Sequence, residues 1–297
     1  MGVLVFVLGR SGTGKSYSMR GFGKDELALI NVQGKVLPFR NWQNINIIST
    51  DNSAEICEAL ETLANNYKSI VIDDFQYLMA NEFMRRSTEK GYDKFTEIGR
   101  HAWDVPNKVA SLPDDVIVYI MCHTDRDDEG HEKIKTIGKL LDEKICLEGM
   151  STIVLKTNVC DGQYTFLTQN NGKDTVKSPF KMFPSYAIDN DLKYVDDKIR
   201  NYYGFDGAKT DDEIQKADEQ VKTDIEPDKP KKSRRTARAE KQTEELVKDF
   251  PKEGEDEKVP VDEDLNPLPE RKERETPAPV EEPVAEEKPR RRRRRTE

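Results

Sequence analysis

Eight residues near the amino terminus carry the most explicit chemistry in the chain. Gly9, Arg10, Ser11, Gly12, Thr13, Gly14, Lys15 and Ser16 spell G-x-x-x-x-G-K-S, directly after the apolar run Val3–Leu8. Glycines at 9, 12 and 14 let the backbone curl until successive N–H groups converge on an anion. A helix starting near Lys15 adds the positive end of its dipole. In this pattern Lys15 reaches the β- and γ-phosphates of a nucleoside triphosphate, and the Ser16 hydroxyl ligates Mg²⁺. Tyr17 completes the expected nucleotide-binding set, with a nucleoside triphosphate and Mg²⁺ as ligands.

Such a site needs an acidic residue ending a second buried strand. Ser69-Ile70-Val71-Ile72-Asp73-Asp74 supplies it: three β-branched residues in a row suit a central parallel strand. Asp73 is placed to hold the Mg²⁺ shell, and Asp74 to orient or deprotonate the attacking water. A further apolar run, Val116–Met121, ends in Cys122-His123-Thr124-Asp125, where His123 or Thr124 could sense the γ-phosphate. The stretch Asp125–Gly130 has a superficial calcium-loop look. Its twelfth position is Thr136 rather than a bidentate Glu, so a solvated, mobile acidic loop is expected instead.

The elements that must position these residues alternate. Leu27–Val32 and Ile45–Ser49 read as strands. Asp51-Asn52-Ser53 caps a helix whose apolar residues Ile56, Ala59, Leu60, Leu63 and Ala64 keep helical spacing. Helices are also expected over Phe75–Met84, over Tyr92–Trp103 on to Val109, and over Asp191–Tyr203. Strands alternating with helices imply an α/β fold, a parallel sheet covered on both faces. After Thr152 the period changes. Ile153–Thr157 and Tyr164–Thr168 flank the turn Asp161-Gly162, and Asn170-Asn171-Gly172 precedes Thr175–Lys177. The sheet is therefore expected to gain antiparallel strands and no helical lid.

Composition divides the 297 residues in two. Beyond Phe205, 51 of 92 residues are charged, 10 of the 15 prolines occur, and Phe250 is the single aromatic. So little apolar surface cannot offset the entropy of ordering, and 206–297 reads as a disordered tail after a folded domain at 1–205. The tail alternates in sign: Lys229–Arg238 is basic, Glu253–Asp264 acidic, and Arg290–Arg295 an unbroken arginine run. Basic runs bind phosphate electrostatically; six contacts to duplex DNA give a log–log salt slope of about −5. The net charge of −9 offers no uniform attraction to nucleic acid. No run is long enough to span a membrane. Cys57, Cys122, Cys146 and Cys160 lack short paired spacing and are expected as reduced core thiols of a cytoplasmic protein.

Residues 1 to about 204 resemble the short RecA-like ATPases of bacteriophages, often called AAA-type ATP-binding proteins, which include single-strand annealing proteins. The marks are Gly9–Ser16, the Ile70–Asp74 strand, the Cys122-His123 strand end and the segment Asp174–Pro179. The resemblance implies a RecA-like core and an active site shared between subunits of a ring or filament. Lys177, with Lys173 behind it, then becomes the cation reaching a neighbour's γ-phosphate. It also implies a catalytic Glu at the end of the strand after the phosphate loop, where this chain has only Asn31 and Gln33. Slow hydrolysis is expected, unless Asp74 substitutes.

The function these readings suggest is an ATPase of phage recombination or replication acting on single-stranded DNA. DNA contacts are expected from loops such as Arg85-Arg86 to Lys94, or from the tail. The alternative is a helicase loader or remodelling ATPase directed at a protein partner. A small-molecule kinase fits poorly, because the acidic loop at 125–132 has the wrong charge for a phosphate lid.

Overall fold

The computed structural model describes residues 1–220, apart from positions 128 and 139. Its centre is an eight-stranded sheet of β1 (Val3–Leu8), β2 (Leu27–Asn31), β3 (Asn46–Ile48), β4 (Ser69–Asp73), β5 (Ile117–Cys122), β8 (Ile153–Cys160), β9 (Gln163–Leu167) and β10 (Ala187–Asp189). The spatial order is β10-β9-β8-β1-β5-β4-β2-β3. From β8 to β3 all neighbours run parallel, while β9 and β10 extend the edge antiparallel. The expected α/β class and antiparallel extension are both present.

Alternation along the strands explains the layers. Phe6, Leu8, Ile70, Ile72, Val118 and Ile120 face helices α1 (Ser53–Ala64), α2 (Gln76–Arg85) and α3 (Asp93–Val109). Val5, Val7, Val71, Tyr119, Met121 and Leu155 face the other way, toward Met19 and α4 (Leu192–Tyr203). Each side chain of this size that leaves water contributes about 1.5–3 kcal/mol. The expected cap is in place, since Asn52 Oδ1 accepts from the N–H groups of Ala54 and Glu55.

A buried polar cluster ties α4 to the sheet. Asp196, 1% exposed, accepts from Ser69 Oγ (2.8 Å), the Tyr119 hydroxyl (2.9 Å) and Arg200 Nε (2.7 Å). Arg200 goes on to donate to the carbonyls of Lys68 and Asp115, holding the starts of β4 and β5.

Several expectations change. The helix after the phosphate loop is a six-residue 3₁₀ segment, Ser16–Gly21, because Gly21 ends it, Gly23 follows at once and only Met19 offers a long apolar anchor. The acidic loop is a hairpin, β6 (Thr124–Arg126) against β7 (Glu132–Ile134), pinned where Lys156 meets Glu132 at 2.7 Å and Asp174 at 3.2 Å. Thr175–Lys177 forms no strand. Lys177 instead exchanges backbone hydrogen bonds with Val154, past the end of β9. Of the four free cysteines, Cys122 alone is fully buried; Cys146 and Cys160 are exposed.

The body also continues past Phe205. Helix α5 (Asp211–Gln220) buries Ile214 and joins α4 through Asp218, which accepts from the Tyr194 hydroxyl (2.6 Å) and Lys198 (2.8 Å). The boundary expected at 205 therefore falls inside the folded part. The tail assignment beyond 220 lies outside the described residues. Among the described residues no helix is long and apolar enough to cross a membrane.

Candidate functional site

The carboxyl ends of β1, β5 and β4 meet at one cleft. Register places Leu8 opposite Cys122 and Ile72 opposite Ile120, so β5 lies between the phosphate-loop strand and the Asp73 strand. His123, one residue past β5, consequently stands between the two motifs. The cleft is a cavity of about 650 Å³ lined on one side by Gly12, Gly14, Lys15 and Ser16 and on the other by Lys35, Asp73, Asp74 and His123.

Gly12 and Gly14 adopt φ of 79° and 96°, the left-handed region that turns their N–H groups inward. Gly9 has a different reason to lack a side chain. A Cβ there would stand 1.8 Å from Thr157 Oγ1. That hydroxyl bonds to the Leu8 carbonyl (3.1 Å) and to Thr13 Oγ1 (2.6 Å), bracing the loop from β8. Lys15 is folded back onto the carbonyls of Gly9 (2.8 Å) and Arg10 (3.0 Å). Burial pulls its amine below the usual lysine value, against the attraction of Asp73 and Asp74. A buried cation with only neutral acceptors is a ready anion site.

Ser16 and Asp73 do come together, although their strands are not neighbours. Ser16 Oγ donates to Asp73 Oδ2 at 2.6 Å. Burial pushes Asp73 above the usual carboxylate range, and its Oδ1 is enclosed with no protein partner. A hydroxyl, a carboxylate and an unpaired oxygen at the mouth of a phosphate loop form a hard oxygen set, which fits Mg²⁺ sharing phosphate oxygens. Ser16 would hold the ion directly and Asp73 its shell.

Asp74 is arranged differently. Its backbone is left-handed (φ 62°), swinging the carboxylate out of the strand line and into the cleft. There it accepts from Lys35 Nζ and lies 3.2 Å from His123 Nε2. Burial alone would raise its pKa; His123 and Lys35 outweigh burial and pull it down to about 2. So Asp74 is an anion near neutral pH and a poor proton acceptor there. Gln76 holds the histidine's backbone, its Oε1 accepting from His123 N–H at 3.1 Å.

These features, taken with a match between residues 1–179 and the family model of the AAA domain, settle the affiliation. The chain belongs to the AAA domain family. No curated protein matches its sequence. This AAA domain is a P-loop NTPase core, and the match spans the phosphate loop, Asp73, Asp74, His123 and Lys177.

The remaining expected residues divide. Tyr17 and Ser11 line the cleft, while Arg10 points outward toward Glu132 at 3.8 Å and Thr13 packs under the loop. Lys177 stands outside this chain's own cleft: its partner Val154 is level with Phe6, two residues before β1 ends. Arg85, Arg86 and Lys94 are not a free basic patch. Arg85 pairs with Asp51, Arg86 with Glu82, Glu89 and Glu97, and the Lys94 amine bonds to the carbonyls of Arg86 and Glu89.

Sequence reasoning missed Lys35, Thr157 and Tyr164. Lys35 follows Gly34, a visible turn signal, but its reach to Asp74 depends on Asn31. The Asn31 side chain donates to the Lys35 carbonyl (2.7 Å) and accepts from its N–H (3.3 Å). The position where a catalytic Glu was sought thus builds the turn that presents a lysine.

Proposed function

We propose that the chain binds ATP with Mg²⁺ in this cleft, hydrolyses it slowly, and acts in phage DNA recombination or replication on single-stranded DNA. One observation carries the nucleotide half: Ser16 Oγ bonds Asp73 Oδ2 at 2.6 Å while Asp73 Oδ1 is enclosed without a partner, at the mouth of a loop holding a buried lysine. Bound Mg²⁺ would neutralise charge on the phosphate oxygens. Lys15 leaves the Gly9 and Arg10 carbonyls for the phosphates. Asp74, ionised and held by Lys35 and His123, orients the attacking water rather than taking its proton, a role that suits a loose phosphoryl-transfer transition state.

Support for the RecA-like, oligomeric reading comes from the resemblance and from Lys177, whose place outside the home cleft suits a residue offered to a neighbour's phosphate. Because Arg85, Arg86 and Lys94 are committed to ion pairs and carbonyls, DNA contact on this reading falls to the tail's basic runs.

The test is steady-state ATP hydrolysis with and without single-stranded DNA, for the full chain and for residues 1–220. Stimulation in the full chain alone is expected. Stimulation by a protein partner and never by DNA would refute the DNA role. Lys15→Ala should abolish hydrolysis with the fold retained; full hydrolysis in that variant would sink the phosphate-loop assignment.

A further inference from the structure

The cleft carries two kinds of group. Beside the groups that bind phosphate stand two tyrosine rings, Tyr17 and Tyr164, 41% and 45% exposed. An aromatic face does nothing for a polyanion. One side of Tyr17 is already taken by the Arg20 guanidinium, 4.4 Å from the ring centroid. Tyr164, on β9, lies flush against the phosphate loop: its Cδ1 is 2.9 Å from where a Cβ on Gly14 would stand.

Behind that ring is Asn190, 2% exposed, with both Oδ1 and Nδ2 enclosed and unpaired. Its Oδ1 is 3.1 Å from the same point on Gly14. The residue is not loosely placed. Its N–H donates to the Tyr164 carbonyl (3.3 Å), and its own carbonyl accepts from Arg20 Nη1 at 2.6 Å. An amide held this firmly with both polar atoms unpaired is one a ligand can satisfy, since buried polar groups are ordinarily satisfied.

We propose that Tyr164 and Asn190 form the nucleobase subsite of the cleft, an inference that rests on nucleotide binding at the phosphate loop. The Tyr164 ring turns off Gly14 as the base enters and stacks on its face. This movement uncovers the Asn190 amide, whose adjacent acceptor and donor match a base edge presenting a donor beside an acceptor. Arg20 holds Tyr17 and Asn190 in fixed relation across the subsite. The ligand class is therefore a nucleoside triphosphate bound through its base as well as its phosphates.

Titration calorimetry on the full chain with Mg²⁺ separates base binding from phosphate binding, comparing ATP with inorganic tripolyphosphate, which has no base. Base–aromatic stacking corresponds to roughly ten- to hundredfold in affinity. Tyr164→Ala should weaken ATP by about that factor and leave tripolyphosphate unchanged, with Tyr164→Phe restoring ATP binding. Asn190→Ala should also weaken ATP alone. Unchanged ATP affinity in Tyr164→Ala would overturn the proposal. Equal losses for both ligands would overturn it too, by reducing the ring to a prop for Gly14. Failure of the underlying reading looks different: the wild-type chain would bind neither ligand, or Lys15→Ala would bind tripolyphosphate as well as wild type.

Discussion

Replacing Gly9 with alanine tests how β8 supports the phosphate loop. Gly9 is not among the residues with positive φ, so the substitution strains no backbone; its penalty is steric. The new Cβ would meet Thr157 Oγ1 at 1.8 Å. Moving that hydroxyl breaks its bonds to the Leu8 carbonyl and Thr13, at about 0.5–1.5 kcal/mol each. Overpacking that remains adds about 1–3 kcal/mol. Gly9→Ala should therefore destabilise the domain by about 2–6 kcal/mol. Thr157→Ala alone forfeits the two bonds and costs about 1–3 kcal/mol. In the double variant the 1.8 Å clash is gone and the nearest atoms are Thr13 Oγ1 at 2.7 Å and the residue-157 Cβ at 3.2 Å, so alanine at position 9 costs less than it does in wild type. Urea unfolding of the four proteins should give a favourable coupling energy of about 1–3 kcal/mol. The same penalty for Gly9→Ala in both backgrounds would refute the bracing argument.

Three other substitutions or truncations follow from the geometry. Asp74 has a folded-state pKa depressed to about 2, so its contribution is present above its unfolded value and lost as pH falls from about 4 toward 2. Asp74→Asn should accordingly be less stable than wild type near neutrality, with the gap closing in acid-unfolding curves over that window; a gap independent of pH would contradict the ion-pair assignment. Asp196→Ala leaves Arg200 without its carboxylate and should cost about 3–5 kcal/mol by chemical denaturation, whereas a loss of a few tenths would show that the cluster does not secure α4. Ending the chain at 205 removes Ile214 and Asp218, so residues 1–205 should melt below residues 1–220 by several degrees, about 1.5–3 kcal/mol for the isoleucine alone. Equal melting temperatures would mean α5 does not hold the body together.

How much was legible depended on how local the cause was. The phosphate loop and β1 could be read because the glycine spacing and the apolar run are contiguous. Thr210-Asp211-Asp212-Glu213 was equally local but passed unread. It is a capping box, with Thr210 N–H donating to Glu213 Oε2 at 2.9 Å and the Glu213 N–H to Thr210 Oγ1 at 3.4 Å. The charge density of the surrounding tail hid it. Arg85 and Arg86 misled for the opposite reason: a basic pair in sequence says nothing about the carboxylates that α2, α3 and the loop before α1 bring to it.

The sequence alone determined the type of chemistry. A glycine-spaced loop, a lysine, a hydroxyl and an acidic strand end can be recognised wherever the chain later puts them, because each depends on residue type and short spacing. Tertiary structure decided everything that depends on strand order. The insertion of β5 between β1 and β4 sets His123 against Asp74, the turn after β2 carries Lys35 to Asp74, and β8 and β9 bring Thr157 and Tyr164 to the phosphate loop. Those contacts join residues tens to more than a hundred positions apart. Each is selected by how the two faces of the sheet bury their apolar side chains, a global balance that no short segment records.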